Sequence, residues 1–176
     1  MRGYFAIGAE GITKPLNFGN LVRSAHAFGA SFVFTVAAKS RAINFRSDTS
    51  RAVEHIPYYR WETLADMQLP RKCVLVGIEI TDEATELPTF AHPPQAAYIL
   101  GAERTSLSEE MLAQCDHVVR IPTQFSINMA TAGAIVMYDR IRTLGRFATR
   151  PVASTGKSEH LAEHIHGGPI RRTDGA

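Results

Sequence analysis

The 176 residues are 45% hydrophobic and 20% charged, with a formal net charge of +2 and two cysteines. That is ordinary for a soluble globular protein and long enough for one domain with its own core. No apolar run approaches the ~18 residues of a membrane span. The apolar start "MRGYFAIGAEG" is too short for a signal peptide and is interrupted by Glu10, so the cytoplasm is the expected compartment. Cys73 and Cys115 lie in separate apolar contexts, read as buried structural thiols, and exclude a disulfide framework. A nucleic-acid partner does not follow from the total charge, so the distribution of charge has to be read.

In chain order, strands are expected over residues 4–10, 31–37, 73–80, 96–102 and 117–122. Each is a continuous apolar run without alternation, the pattern of strands buried on both faces of a largely parallel sheet. Helical patterns fall between them at 19–29, about 49–56, 61–67, 108–114 and about 128–145. Strands alternating with helices in this order predict an α/β three-layer domain with a mostly parallel sheet. Residues 37–60 depart from the pattern, holding Lys39, Arg41, Arg46, Arg51 and Arg60 against only Asp48 and Glu54. The domain is expected to occupy residues 1–147. Residues 148–176, rich in Gly, Pro, Ser, Thr and His, read as a flexible polar tail.

Several chemistries lack their motifs. Neither G-x-G-x-x-G nor G-x-x-x-x-G-K-[ST] is present to cradle a phosphate, and no G-x-S-x-G elbow supports a hydrolase. His160 and His164 in the tail are spaced to share a metal on a helix, but the accompanying carboxylate of H-E-x-x-H is missing; no metal is expected.

Three segments remain, each at an expected strand end: "NFGNLVR" with Asn17, Gly19 and Arg23; "LGAERTS" with Gly101 and Glu103; and "IPTQFSIN" with Ile121, Pro122, Ser126 and Asn128. Singly, each has a plain explanation. Ser126 suits a helix cap, Glu103 a surface carboxylate and Arg23 a helix-surface charge. As an ordered set they resemble the SpoU (TrmH-type) branch of the SPOUT RNA methyltransferases, whose motifs are N-x-G-x-x-x-R, G-x-E-x-x-G and I-P-…-S-x-N before a long helix. The resemblance covers about residues 3–145. Two departures stand out: Ser106 replaces the usual closing glycine of the second motif, and only "TQF" separates Pro122 from Ser126.

The resemblance implies a C-terminal deep trefoil knot that binds S-adenosyl-L-methionine, and methyl transfer to a ribose 2′-OH of RNA, tRNA being favoured over rRNA for so small a chain. It implies cofactor contacts near Ile78, Gly101, Ile121 and Ile127, where isoleucines would wall the adenine and glycine would allow close backbone approach. Arg23 would act on the acceptor side as a fixed cation, with Asn17 and Glu103 holding it and Ser126 and Asn128 positioning substrate. Arginine stays protonated, so this role is electrostatic and not that of a base. Lys39, Arg41, Arg46 and Arg51 would form the RNA footprint. A homodimer packed through the small-residue helix "MATAGAIVMYDRI" would enlarge the binding surface. Two other readings keep the same fold: an RNA-binding module without catalysis, and a base methyltransferase of the wider superfamily, against which the first motif speaks.

Overall fold

The computed structural model describes residues 3–39, 52–102 and 106–145. Arg41, Arg46, Arg51, Glu103 and the 148–176 segment lie outside the described residues, as does part of the helix expected at 49–56.

Seven strands form one sheet: β1 (Tyr4–Glu10), β2 (Phe32–Val36), β3 (Tyr58–Trp61), β4 (Val74–Ile78), β5 (Thr85–Glu86), β6 (Gln95–Leu100) and β7 (His117–Arg120). Their order is β3-β2-β1-β6-β4-β7-β5, and every pairing is parallel. β6 therefore sits between β1 and β4 although it follows both in sequence. Parallel strands need crossovers that cover the sheet faces, which is why the central strands read as unbroken apolar runs. On β1, Phe5, Ile7 and Ala9 enter one core and Ala6 the other. The first core packs α1 (Pro15–Ala27) and α3 (Met129–Leu144) through Phe18, Leu21, Val22, Val136 and Met137. The second, with Phe32, Phe34, Ala97, Ile99 and Met111, is covered by α2 (Glu109–Gln114) and by Trp61, Leu64 and Met67.

The structure adjusts several expected boundaries. The first helix begins at Pro15, not 19, because a proline at the first helical position loses no intrahelical bond and brings its φ already set. It closes in a Schellman motif, with Gly29 N–H donating to His26 O, Ala30 N–H to Ala25 O and Gly29 at φ 74°. The expected helix at 61–67 is instead the end of β3 followed by a single 3-10 turn at Leu64–Asp66. Trp61, Leu64 and Met67 recur every three residues, which resembles a helical stripe. Here they serve as a cover over the second core. β5, only two residues long, was not expected.

α3 approaches α1 closely at Gly133, where an added Cβ would sit 2.3 Å from Leu21 Cδ1. Its C-terminal half is anchored by Arg140, which is fully buried. The guanidinium donates to Pro93 O at 2.6 Å, Pro94 O at 2.8 Å, Tyr98 OH at 3.1 Å and Tyr4 O at 3.2 Å. His92 extends the network through Nδ1 to Tyr98 OH at 2.6 Å and Nε2 to Asp139 at 3.1 Å. Both ring nitrogens of His92 are paired when Tyr98 O–H donates to Nδ1 and Nε2–H donates to the Asp139 carboxylate, which makes His92 neutral, while the buried Arg140 Nε meets no acceptor among the described residues. Burial lowers the His92 pKa, against the opposing pull of Asp139. The two cysteines are half-buried, less enclosed than expected. Burial raises both thiols, with Cys115 pushed up to about 11.

Candidate active site

A cavity of about 350 Å³ opens at the C-terminal ends of β4, β6 and β7. Crevices outside the carboxyl ends of parallel strands are where α/β sheets hold ligands. Ile78, Glu79 and Ile80 line it from the end of β4 and just beyond, Leu100, Gly101, Ala102 and Ser106 from the end of β6 and the chain that follows it, and Ile121, Thr123, Ser126 and Ile127 from the segment after β7. Met129 and Ala132 of α3 complete the wall. Aliphatic groups suit a flat apolar ring, while Glu79, Ser106, Thr123 and Ser126 supply polar contacts. The volume lies within the ~300–1,000 Å³ typical of small-molecule sites.

Ile78, Gly101, Ile121 and Ile127, from three separate segments of sequence, thus converge on one cavity. Ser126 lines it too. Asn128 stands just beyond and is the N-cap of α3: its Oδ1 accepts from Ala130 N–H at 2.9 Å and Thr131 N–H at 3.4 Å. Its Nδ2 donates to Asn17 Oδ1 at 3.4 Å. The first and third motifs therefore meet side chain to side chain, 111 residues apart in sequence. Asn17 lies in the first turn of α1 and Arg23 on an exposed face of the same helix; neither lines the cavity. Lys39 is exposed just beyond β2, its N–H donating to Ile12 O at 3.1 Å.

Sequence reasoning missed two carboxylates. Glu79 lines the cavity, accepting from Leu107 N–H at 2.8 Å and from Ile80 N–H at 2.9 Å. Glu10 accepts from Ser108 N–H at 2.8 Å and Ser108 Oγ–H at 2.6 Å, while the same Ser108 hydroxyl caps α2 by accepting from Met111 N–H. The available signal was a single acid at the end of each otherwise apolar strand, "YFAIGAE" and "CVLVGIE". Among the described residues, no three potential metal ligands cluster, and no helix is long and apolar enough to cross a membrane.

The model of the SpoU rRNA methylase family matches residues 4–138, which contain all three motifs and the cavity. The chain belongs to this family. Among SpoU relatives, a 23S rRNA (guanosine-2′-O-)-methyltransferase RlmB of Bordetella pertussis is 30% identical over 144 residues, covering 76% of this chain and 57% of its own length. The chain thus spans little more than half of that curated relative. An AdoMet-bound rRNA methyltransferase of Sinorhizobium meliloti shares the architecture at 22% identity, with a TM-score of 0.72 over 82% of this chain and 58% of that one. A protein solved for insight into the 2-OH methylation of C/U34 on tRNA is also 22% identical, with a TM-score of 0.67 over 81% of this chain and 91% of that one. At these identities the solved structures show a common SpoU fold.

Proposed function

We propose that this chain methylates RNA, transferring the methyl group of S-adenosyl-L-methionine to a ribose 2′-OH. The observation that carries the reading is the convergence of Ile78, Gly101, Ile121 and Ile127 on one cavity beside the Asn17–Asn128 contact. That cavity suits the cofactor in size and chemistry. Its aliphatic walls fit adenine, the backbone at Gly101 is open to close approach, and hydroxyls at Ser106, Thr123 and Ser126 can meet polar ends. S-adenosylmethionine supplies a methyl group on a cationic sulfur.

A neutral ribose hydroxyl is a poor nucleophile, so the chain must favour charge developing on its oxygen. Arg23, permanently cationic, is the group we assign to that task, orienting an adjacent phosphate and stabilising the oxyanion as the proton leaves. Asn17, held by Asn128, and Glu103 position it, and Ser126 contacts the ligand. When bound, the cofactor would supply its methyl group to the ribose oxygen and be left as S-adenosylhomocysteine, the hydroxyl proton going to solvent.

tRNA is the substrate we favour over rRNA, supported by the neighbour solved for tRNA methylation, 91% of which aligns with this fold. Lys39, Arg41, Arg46 and Arg51 form the phosphate-tracking footprint. Ile135 and Tyr138, exposed at 37% and 54% on α3, support a homodimer through that helix. The knotted threading of the residues after β7, the 1–147 domain followed by a separate polar 148–176 segment, and a cytoplasmic setting complete the reading. Methyl transfer from labelled S-adenosylmethionine to purified tRNA and ribosomal RNA, with mapping of 2′-O-methyl positions, tests it. Absence of transfer together with absence of cofactor binding by calorimetry overturns it.

A further inference from the structure

Resting on the reading that the cavity takes S-adenosylmethionine, we infer that Glu79 and Glu10 are positioning residues that hold segment 106–108 in place, and with it Ser106 in the cavity wall. The argument starts from the sheet. β6 runs between β1 and β4, and Leu100 stands opposite Ala9 on one side and Ile78 on the other. Glu10 and Glu79, each one residue further on, therefore flank the level of Gly101, where the chain leaves β6. When it returns at Ser106, a cavity-lining residue, its next two amides are claimed by those two carboxylates. Leu107 N–H donates to Glu79 Oε2 and Ser108 N–H to Glu10 Oε2, both at 2.8 Å.

Two consecutive amides tied to carboxylates from different strands fix the peptide plane between them as well as its height above the sheet. The Leu107 side chain, 4% exposed, adds an apolar anchor in the second core. Hydrogen bonds to an ionised acceptor are shorter and stronger than neutral ones, which suits a clamp at a partly solvated rim. The Glu79 carboxylate is itself held, since its Oε1 accepts from Ile80 N–H. Of the two acids, Glu79 alone also lines the cavity, so its loss reaches the ligand more directly.

The test uses the full chain and S-adenosylhomocysteine as probe, with affinity read by calorimetry and amide hydrogen exchange read over residues 106–112. Glu79→Ala is expected to weaken binding about tenfold or more and to speed exchange at Leu107 and Ser108. Glu79→Gln, which keeps one acceptor oxygen, falls between. Glu10→Ala speeds exchange at Ser108 with a smaller loss of affinity, and Glu83→Ala, an exposed acid in the following turn, changes neither. Unaltered exchange at Leu107 in both Glu79 variants overturns the positioning role, even if affinity falls. Wild-type affinity in Glu79→Ala overturns its bearing on the ligand. Should the unaltered protein fail to bind S-adenosylhomocysteine, the cofactor reading falls, and exchange still decides whether the carboxylates hold the segment.

Discussion

Arg140→Met removes the charged anchor of α3 while keeping most of its apolar stem. Four hydrogen bonds are lost, at 2.6 to 3.2 Å. Bonds to a charged donor contribute roughly 1.5–3 kcal/mol each, so the gross loss is at least about 6 kcal/mol. Two effects reduce it. Pro94 O still accepts from Tyr4 N–H at 3.0 Å, so it is not orphaned, and a cation no longer has to be buried, which offsets several kcal/mol. Contacts of the guanidinium with the Phe5 and Tyr98 rings, at 5.3 and 5.9 Å from their centroids, go as well. The net expectation is a destabilisation of about 2–4 kcal/mol, and at ~2–4 °C per kcal/mol the melting temperature falls by roughly 5–15 °C. Arg140→Lys recovers only part of this, because one ammonium cannot reach acceptors spread around a planar fork. Circular dichroism melts of the three proteins decide the matter. A methionine variant melting within about 2 °C of wild type would show that desolvation of the cation cancels its bonds, refuting the view that Arg140 fastens α3.

The neutral His92 makes stability depend on pH. Its folded pKa lies below the ~6.5 of the unfolded chain, so the unfolded state takes up the proton first; stability is fully present above about 6.5 and declines as pH falls below it. Denaturant titrations between pH 7.5 and 5 should show this slope, and a His92→Gln variant that keeps the same slope would assign it to other groups. Cys115, with its thiol near 11, and Cys73, also raised, are expected to resist iodoacetamide at pH 7.5 in the folded protein; labelling as fast as in urea contradicts the assigned burial. Arg23→Ala is expected to abolish methyl transfer and leave cofactor affinity within about twofold, since Arg23 does not line the cavity. The reverse pattern would reassign its role. Replacing Lys39, Arg41, Arg46 and Arg51 by Ser should weaken RNA binding evenly across sequences and flatten its salt dependence by a few units of slope; an unchanged slope would put the footprint elsewhere.

How much was legible in the sequence depended on whether the governing interactions were local. Five strands could be read because burial on both faces demands unbroken apolar runs. β3 was hidden by the three-residue recurrence of Trp61, Leu64 and Met67, and β5 by its two-residue length. The insertion of β6 between β1 and β4 left no local trace, since it depends on register between residues such as Tyr4 and Gln95. Gly101, Ile121, Ser126 and Ile127 were found through the second and third motifs and Ile78 through the family resemblance, not through periodicity. Ser126 and Asn128 are both good helix caps by residue type, and only the geometry shows that Asn128 does the capping. Glu10 and Glu79 went unnoticed because a single carboxylate at a strand end is uninformative until the chain returning to it is known.

The placement of β1 in the middle of the sheet bears on how the protein is made. Its neighbour β2 leaves the ribosome early, but its other flank is unfilled until Gln95–Leu100 has been synthesised, and Tyr4 O receives Arg140 from 136 residues away. Closing such long loops costs entropy before any contact repays it, so the rate-limiting step should be slow and late. Until then a strand of the composition YFAIGAE has one edge unpaired, the condition under which nascent chains associate with one another. Expression yield should therefore respond more to chaperone supply and synthesis speed than the modest length of the chain would suggest.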